Sequence, residues 1–347
     1  MSSTAPIVTT MSPNQRAWAR FKRNRIGYVS FWALLALLAL SLVAELVSND
    51  RPLVAVYQGQ WSLPMLHNPP ERQYGGDFDT PTDWKDPFIT AQFNQPGNWR
   101  LQTINPHSAE STDYFQKPAN PAPPSRVNWL GTDEQGRDMV ARLLYGFRVS
   151  LLFGAALTAV GMVIGVAAGA LQGYFGGRID LGLQRAIEIW ASIPELYLLI
   201  IFASIFEPSL LLLLVLLSLF GWIGLSDYVR AEFLRNRGLE FVKAARALGL
   251  SNRQIIWRHV LPNSLTPVIT FLPFRVSGAI LALVSLDFLG LGVPAGVPSL
   301  GDLVRQGKAN LDAWWIIFPT FAVLVITMLL LTFIGDALRD AFDTRKS

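Results

Sequence analysis

The sequence predicts an all-α membrane protein of six transmembrane helices with one long insertion between its first two spans. Three observations predict it. Of 347 residues, 51% are hydrophobic and only 16% charged, against about a quarter charged in an ordinary soluble domain. The apolar residues gather in six blocks, each long enough to cross roughly 30 Å of hydrocarbon as a helix. Lysine and arginine then fall unevenly on the two sides that six crossings define.

The predicted spans are 28–47, 149–172, 187–206, 210–229, 265–292 and 314–335. Lipid leaves helices or closed barrels as the only spanning structures, and uninterrupted leucine runs such as 210–219 exclude the alternation a barrel needs. A basic stretch precedes the first span, as in a secretory signal. That span is about twenty residues long and ends on Glu45, Ser48, Asn49 and Asp50, which reads as a retained helix. Residues 1–27, 173–186, 230–262 and 337–347 hold 17 basic residues in 85 positions, against 11 in 122 for 48–148 and 293–313. The first set is read as cytoplasmic, so both termini are expected inside.

The chain divides into a cytoplasmic segment 1–27, a first span 28–47, an extracytoplasmic insertion 48–128 and a five-helix core 129–347 with a cytoplasmic loop at 233–262. Within the insertion, 51–126 holds 12 of the 22 prolines, three tryptophans and six basic against seven acidic residues. Such turn-forming sequence admits either a loose linker or a small irregular cap. In span two, Gly161, Gly165, Gly169 and Gly173 recur every four residues, a stripe along which a neighbouring helix backbone can approach closely.

Net charge is +4 and the isoelectric point near 9.4. The basic residues flank apolar blocks, so the bilayer is the expected partner and nucleic acid is not. There is no cysteine, and His67, His107 and His259 are scattered. Thiol chemistry is thereby excluded and no metal site is expected. No span contains histidine, and no nucleophile–base constellation is visible, so no catalytic residue is expected.

Charged side chains inside spans are costly, about 2.5–3.5 kcal/mol on insertion scales. Three stand out as candidates for a translocation path: Glu195, Arg275 and Asp287. Arg275 is read as path-lining or as paired with Glu195 or a residue of a partner. Asp287 and Glu195 are each read as path-lining or structural, Asp287 as a group near the outer surface. Asp180, Arg185 and Glu188 flank the short 173–186 loop, as helix caps or as a minor contact for a partner.

The loop between spans four and five is the most informative segment. Phe241, Ala244, Ala245 and Leu248 share one face at helical spacing. Gly249 suits a left-handed stop, Ser251 with Gln254 forms a capping box that starts another helix, and Pro262 is expected to end the unit. An amphipathic helix on the lipid surface explains the charges; a small-residue face beside a bend fits a docked lever better.

Lys243-Ala244-Ala245, Gly249 and Leu261-Pro262 resemble the EAA motif of ABC importer permeases, with Lys243 where glutamate is usual. The resemblance implies a loop that docks on an ATPase, to which Glu240, Arg253 and His259 are also assigned. Leu130-Gly-Thr-Asp-Glu-Gln-Gly-Arg-Asp138 and Arg142-Leu-Leu-Tyr-Gly-Phe-Arg-Val-Ser150 are similar to the signature of dipeptide and oligopeptide permeases. Ala17-Trp-Ala-Arg-Phe-Lys-Arg-Asn24 and Ser285-Leu-Asp-Phe-Leu-Gly-Leu-Gly292 resemble their C-type subunit. Thr80-Pro-Thr-Asp-Trp-Lys-Asp-Pro87 and Gln95-Pro-Gly-Asn-Trp99 look most like the Yej-type permease of oligopeptide and microcin C importers.

The resemblance implies the type I importer permease fold and a place in a bacterial inner membrane. It implies a non-catalytic subunit that carries peptides or peptide-like antibiotics such as microcin C. Its implied partners are a second, B-type permease, one or more ATP-binding-cassette ATPases and an extracytoplasmic substrate-binding protein. ATP and magnesium are expected on the ATPase, because no G-x-x-x-x-G-K-[ST] loop occurs here. A carrier driven by an ion gradient is the alternative, and the internal repeat it predicts is not visible.

Overall fold

The computed structural model describes residues 12–112, 119–294 and 296–342. Helix α1 (Pro13–Arg23) starts on a capping box between Ser12 and Gln15. Asn24 ends it and caps α2 (Arg25–Leu42), its side chain accepting from the Gly27 amide. A short α3 (Ala44–Val47) continues the first span. Phe21 of α1 is buried against Ala337 and Ala341 near the end of the chain.

Residues 48–112 form a cap with its own core. Strands β1 (Val54–Tyr57) and β2 (Gln60–Ser62) are followed by α4 (Pro87–Phe93) and β3 (Trp99–Leu101). The sheet is antiparallel in the order β2-β1-β3, with Val56 opposite Trp61 and Trp99. Ala55, Tyr74, Trp84, Ile89 and Phe93 pack together on one side. Burial pushes the Tyr74 hydroxyl's pKa above its usual value, with a bond to Ser62 opposing. This part of the insertion is therefore folded, and the tryptophans that suggested a cap divide: Trp84 is buried, while Trp61 and Trp99 meet on the open face.

Five helical stretches are individually long and apolar enough to cross a membrane: 25–42, 139–175, 210–236, 252–288 and 314–342. Helix α5 (Met139–Phe175) starts ten residues before the predicted span, on an Asp138 cap that accepts from Ala141. At 1.5 Å per residue it runs about 55 Å, well beyond one bilayer core.

The predicted third span, 187–206, requires correction as a single helix. It comprises the end of α6 (Gly177–Ala191) and α7 (Glu195–Ile205), bent by 60°. Pro194 is the cause, since it lacks an amide hydrogen and keeps Ile193 out of helical geometry. A second interruption divides 210–236 into α8 (Leu210–Gly221) and α9 (Ile223–Asn236).

After α10 (Glu240–Ala247) and α11 (Asn252–Ile255), a π turn over Ile256–Val260 leads into α12 (Leu261–Phe288). Pro262 does not end the unit. It occupies the first turn of α12, where the Leu261 amide bonds Ile256 five residues back. The widened turn absorbs the proline, so the fifth span runs unbroken from Asn252. Helices α13 (Leu300–Ala309) and α14 (Trp314–Phe342) complete the chain.

Helix α5 is the axis of the bundle. It packs against α9 on one side and α12 on another, with α14 beyond α12 and α2 laid on α14. Three apolar clusters run along it. One joins α5 to α12, α13 and α14 through Leu143, Ile280, Leu303 and Ile316. A second joins it to α7, α8 and α12 through Leu157, Leu199, Leu217 and Leu283. The third, around Val229, Phe233, Ile255 and Val260, seats the loop that carries α10.

Candidate functional site

The 233–262 loop is a rigid bracket. Val242 and Ala245 of α10 are fully or nearly buried against Phe233, Ile255 and Val260. The apolar face inferred from spacing therefore needs correction: Ala245 turns inward with Val242, while Phe241, Ala244 and Leu248 remain exposed, Leu248 to 80%. Trp257, 64% exposed, adds a further apolar group. Lys243 pairs with Glu240 at 2.8 Å on the surface. Such exposed pairs contribute little to stability.

The bend between the two short helices is specified locally. Gly249 sits at φ +78°. Its amide bonds Arg246 at 3.0 Å and the Leu250 amide bonds Ala245 at 3.2 Å, the Schellman arrangement that glycine favours. Ser251 and Gln254 then cap α11 reciprocally. Arg253 is exposed, and His259 is half-buried with its carbonyl accepting from Asn263. Leu261 packs against the cluster beneath, and Pro262 faces outward.

Three hydrogen bonds tie the bracket to the spans. Tyr174 at the end of α5 donates to Asn252 at 2.8 Å. Arg237 donates to the Tyr174 carbonyl at 3.2 Å. Asn236 donates to Ser264 at 2.8 Å where both are buried. Asp180 of α6 accepts from Nε and Nη2 of Arg230 in α9, a bidentate pair on one guanidinium edge. The bonds from Tyr174, Arg237 and Asn236 join the ends of the loop to α5, α9 and α12.

The glycine stripe faces α9. A methyl group at Gly165 would lie 2.9 Å from the Trp222 carbonyl and 3.0 Å from Leu225. One at Gly173 would meet Arg230 and Phe233, and one at Gly169 the Ser226 carbonyl. Gly161 lies beside the Gly221 carbonyl, at the α8–α9 interruption.

Arg275 donates to that same Gly221 carbonyl. Among the described residues it forms no ion pair with Glu195, which excludes one of the two structural pairings considered. The two nevertheless line one cavity of about 410 Å³, together with Thr158, Leu157, Phe271 and Phe274. Asp287 lies apart from it, twelve residues further along α12 and so about 18 Å away. It is 5% exposed and accepts from the Val293 amide at 2.7 Å and from Ser299. Asp287 organises the turn between α12 and α13, and it also lines a second cavity with Arg137, Glu207 and Arg305.

A buried charge network went unassigned from sequence. Arg142, fully buried, donates to the Gly296 carbonyl at 2.9 Å and to Asp302 at 3.3 Å. Asp133 holds Arg137 at 2.7 Å, also out of solvent. Asp138 accepts from Asn105 and Asn128. These bonds join the insertion, the start of α5 and the α12–α13 turn. The clustering of charges at 133–142 was the available signal.

The sequence is similar to known transport proteins along most of its length. Residues 161–347 match the family described as binding-protein-dependent transport system inner membrane component. Residues 12–70 match the N-terminal TM domain of oligopeptide transport permease C. The inner membrane ABC transporter permease protein YejE of Escherichia coli (strain K12) is 48% identical, over 98% of this chain and 100% of its own length. The peptidoglycan transport system permease protein YejE of Agrobacterium fabrum is also 48% identical, over 96% and 93%. The dipeptide transport system permease protein DppC of Lactococcus lactis is 32% identical, over 96% and 91%. Among solved structures, an inward-facing MetNI methionine ABC transporter chain aligns with a TM-score of 0.47 and 19% identity, over 58% of this chain and 97% of that one. The chain belongs to the family of inner-membrane components of binding-protein-dependent transport systems: it is a multi-pass transport permease.

Proposed function

We propose that this chain is one of two permease subunits of an ATP-driven importer of peptides and peptide-bearing compounds. The near end-to-end 48% identity to permeases named YejE carries the reading, and relatives named for dipeptide and oligopeptide transport support the substrate class. Both termini and the 233–262 bracket lie in the cytoplasm, where the basic residues gather. The cap of residues 48–112 lies outside, on the side from which a substrate-binding protein delivers.

The exposed Phe241, Ala244, Leu248 and Trp257 are the contact for an ATPase subunit, which binds ATP and magnesium. Nucleotide-driven closure of that subunit moves α10, and the bonds from Asn236, Tyr174 and Asn252 pass the motion to α5, α9 and α12. Helices α5 and α12 line the membrane cavity together with α7 and α8, so a displacement at one end of the bundle changes access at the other. The second permease closes the far side of the path.

Purification of the chain in mild detergent from its host, with Gly249→Asp alongside, tests this. The native chain should bring down an ATPase that tri-alanine and the binding protein stimulate together. Any L-residue at φ +78° is strained by about 1–3 kcal/mol, so the variant should lose that partner. A folded native chain with no ATPase activity would remove the proposal.

A further inference from the structure

Two helix interruptions open on one cavity. Glu195 is the first residue of α7, immediately after the Pro194 break. Gly221 closes α8, and its carbonyl is taken by Arg275 from α12. Irregular backbone at membrane depth is tolerated where it is buried in protein or lines a polar cavity, and interrupted helices are where transporters place substrate. Here both interruptions border the same 410 Å³ space, within the roughly 300–1,000 Å³ usual for small-molecule sites.

The polar groups around that space are incompletely used. Thr158 is only 6% exposed, lines the cavity, and its hydroxyl has no hydrogen-bond partner. The Arg275 Nε is likewise buried without one, although the Nη2 of the same guanidinium is held by Gly221. A guanidinium that served only to cap α8 would need neither a carboxylate nor an unpaired hydroxyl beside it. Three helices instead contribute one cation, one anion and one free hydroxyl, set among Leu157, Phe271 and Phe274.

We propose that this cavity is a membrane-embedded subsite for the carboxyl end of a peptide. Arg275 takes the terminal carboxylate through the N–H groups that Gly221 leaves unpaired, in a charge-assisted bond. Thr158 bonds the adjoining main chain, and Glu195 accepts a peptide amide or ammonium hydrogen. The aromatic and leucine walls receive the side chain without selecting it. The inference rests on the reading of the chain as a peptide permease.

The test uses the complete importer with its binding protein in liposomes, supplied with tri-alanine or tri-alanine amide. Arg275→Gln should lower tri-alanine uptake at least tenfold in an importer that still assembles. Uptake of the amide, relative to the native complex, should fall less than twofold. A benzophenone amino acid at Phe271 gives a second measurement that reads occupancy of the cavity and not net uptake. It should label tri-alanine during turnover in the native background, and Arg275→Gln should abolish the labelling. Unchanged tri-alanine uptake, an equal loss for both peptides, or labelling indifferent to Arg275→Gln would each overturn the subsite. Failure of the native complex to take up any peptide would instead remove the peptide-permease reading itself.

Discussion

The Asn236 side chain donates to the Ser264 hydroxyl across 2.8 Å in a site closed to solvent. These residues stand at the two feet of the bracket, one ending α9 and the other in the first turn of α12. Their bond keeps the feet at fixed spacing, so α10 acts as a rigid part of both helices. Asn236→Leu leaves the Ser264 hydroxyl unpaired, at a cost of about 1–3 kcal/mol. The expected result is an importer that assembles and hydrolyses ATP but couples poorly, with peptide uptake per ATP reduced several-fold. Parallel measurement of uptake and hydrolysis checks it; an unchanged ratio would rule out a coupling role for this bond.

The two faces of α10 make separable predictions. Leu248 is 80% exposed and Val242 is fully buried. Leu248→Asp should abolish co-purification of the ATPase and leave the permease as stable in detergent as before. Val242→Asp places an unpaired carboxylate against Phe233 and Ile255, which costs several kcal/mol. It should lower the yield of folded protein as well as remove the ATPase. Comparing melting temperature with ATPase recovery for the two variants separates surface from scaffold; equal loss of stability in both would contradict the assignment of faces.

Much of this bracket was legible in sequence because its signals are local. Gly249, Ser251 and Gln254 each act within four residues of their own position, and the chain uses all three as their chemistry dictates. Pro262 misled for the opposite reason. Whether a proline ends a helix depends on whether the preceding turn can widen, and the π turn at Ile256–Val260 is not encoded in any single residue. The facing of Ala245 inward and Ala244 outward was likewise set by Phe233 and Val260, which lie across the loop. Glu195 and Arg275 stood out by the cost of charge in lipid, but their meeting in one cavity required the α6–α7 bend. The 133–142 charges stood out only as a motif, because their partners at Gly296 and Asp302 lie more than 150 residues away.

The stripe on α5 gives a graded expectation. At Gly165 a methyl group would meet the Trp222 carbonyl and Leu225 at about the limit of contact, and valine would force α5 and α9 apart. Overpacking of this kind costs about 1–3 kcal/mol. Gly182, on an exposed face of α6, has nothing within 4 Å of an added methyl. Alanine there should be neutral or stabilising by up to about 1 kcal/mol through helix propensity. Thermal unfolding in detergent should therefore separate Gly165→Val from Gly182→Ala in opposite directions. Equal behaviour of the two would show that α5 and α9 do not need their close approach.

Arg142 carries the largest single structural expectation. Its guanidinium is completely buried and is spent on the Gly296 carbonyl and Asp302, with Asp133 at 3.8 Å. Removing one partner of such a buried pair costs about 3–5 kcal/mol, because the other charge is left uncompensated. Arg142→Leu should therefore free the α12–α13 turn from the start of α5 and lower the melting temperature sharply. Asp302 is partly accessible at 23% and also holds Arg305, whose pKa it raises further above the normal guanidinium value. Asp302→Asn keeps one acceptor oxygen and loses the charge and the other acceptor, but the side chain is partly accessible to water, so it should destabilise less than Arg142→Leu. The double variant Arg142→Leu, Asp302→Asn should recover part of the loss, since it leaves no lone acid beside the vacated site. If the two single effects simply add, the pair is not energetically coupled.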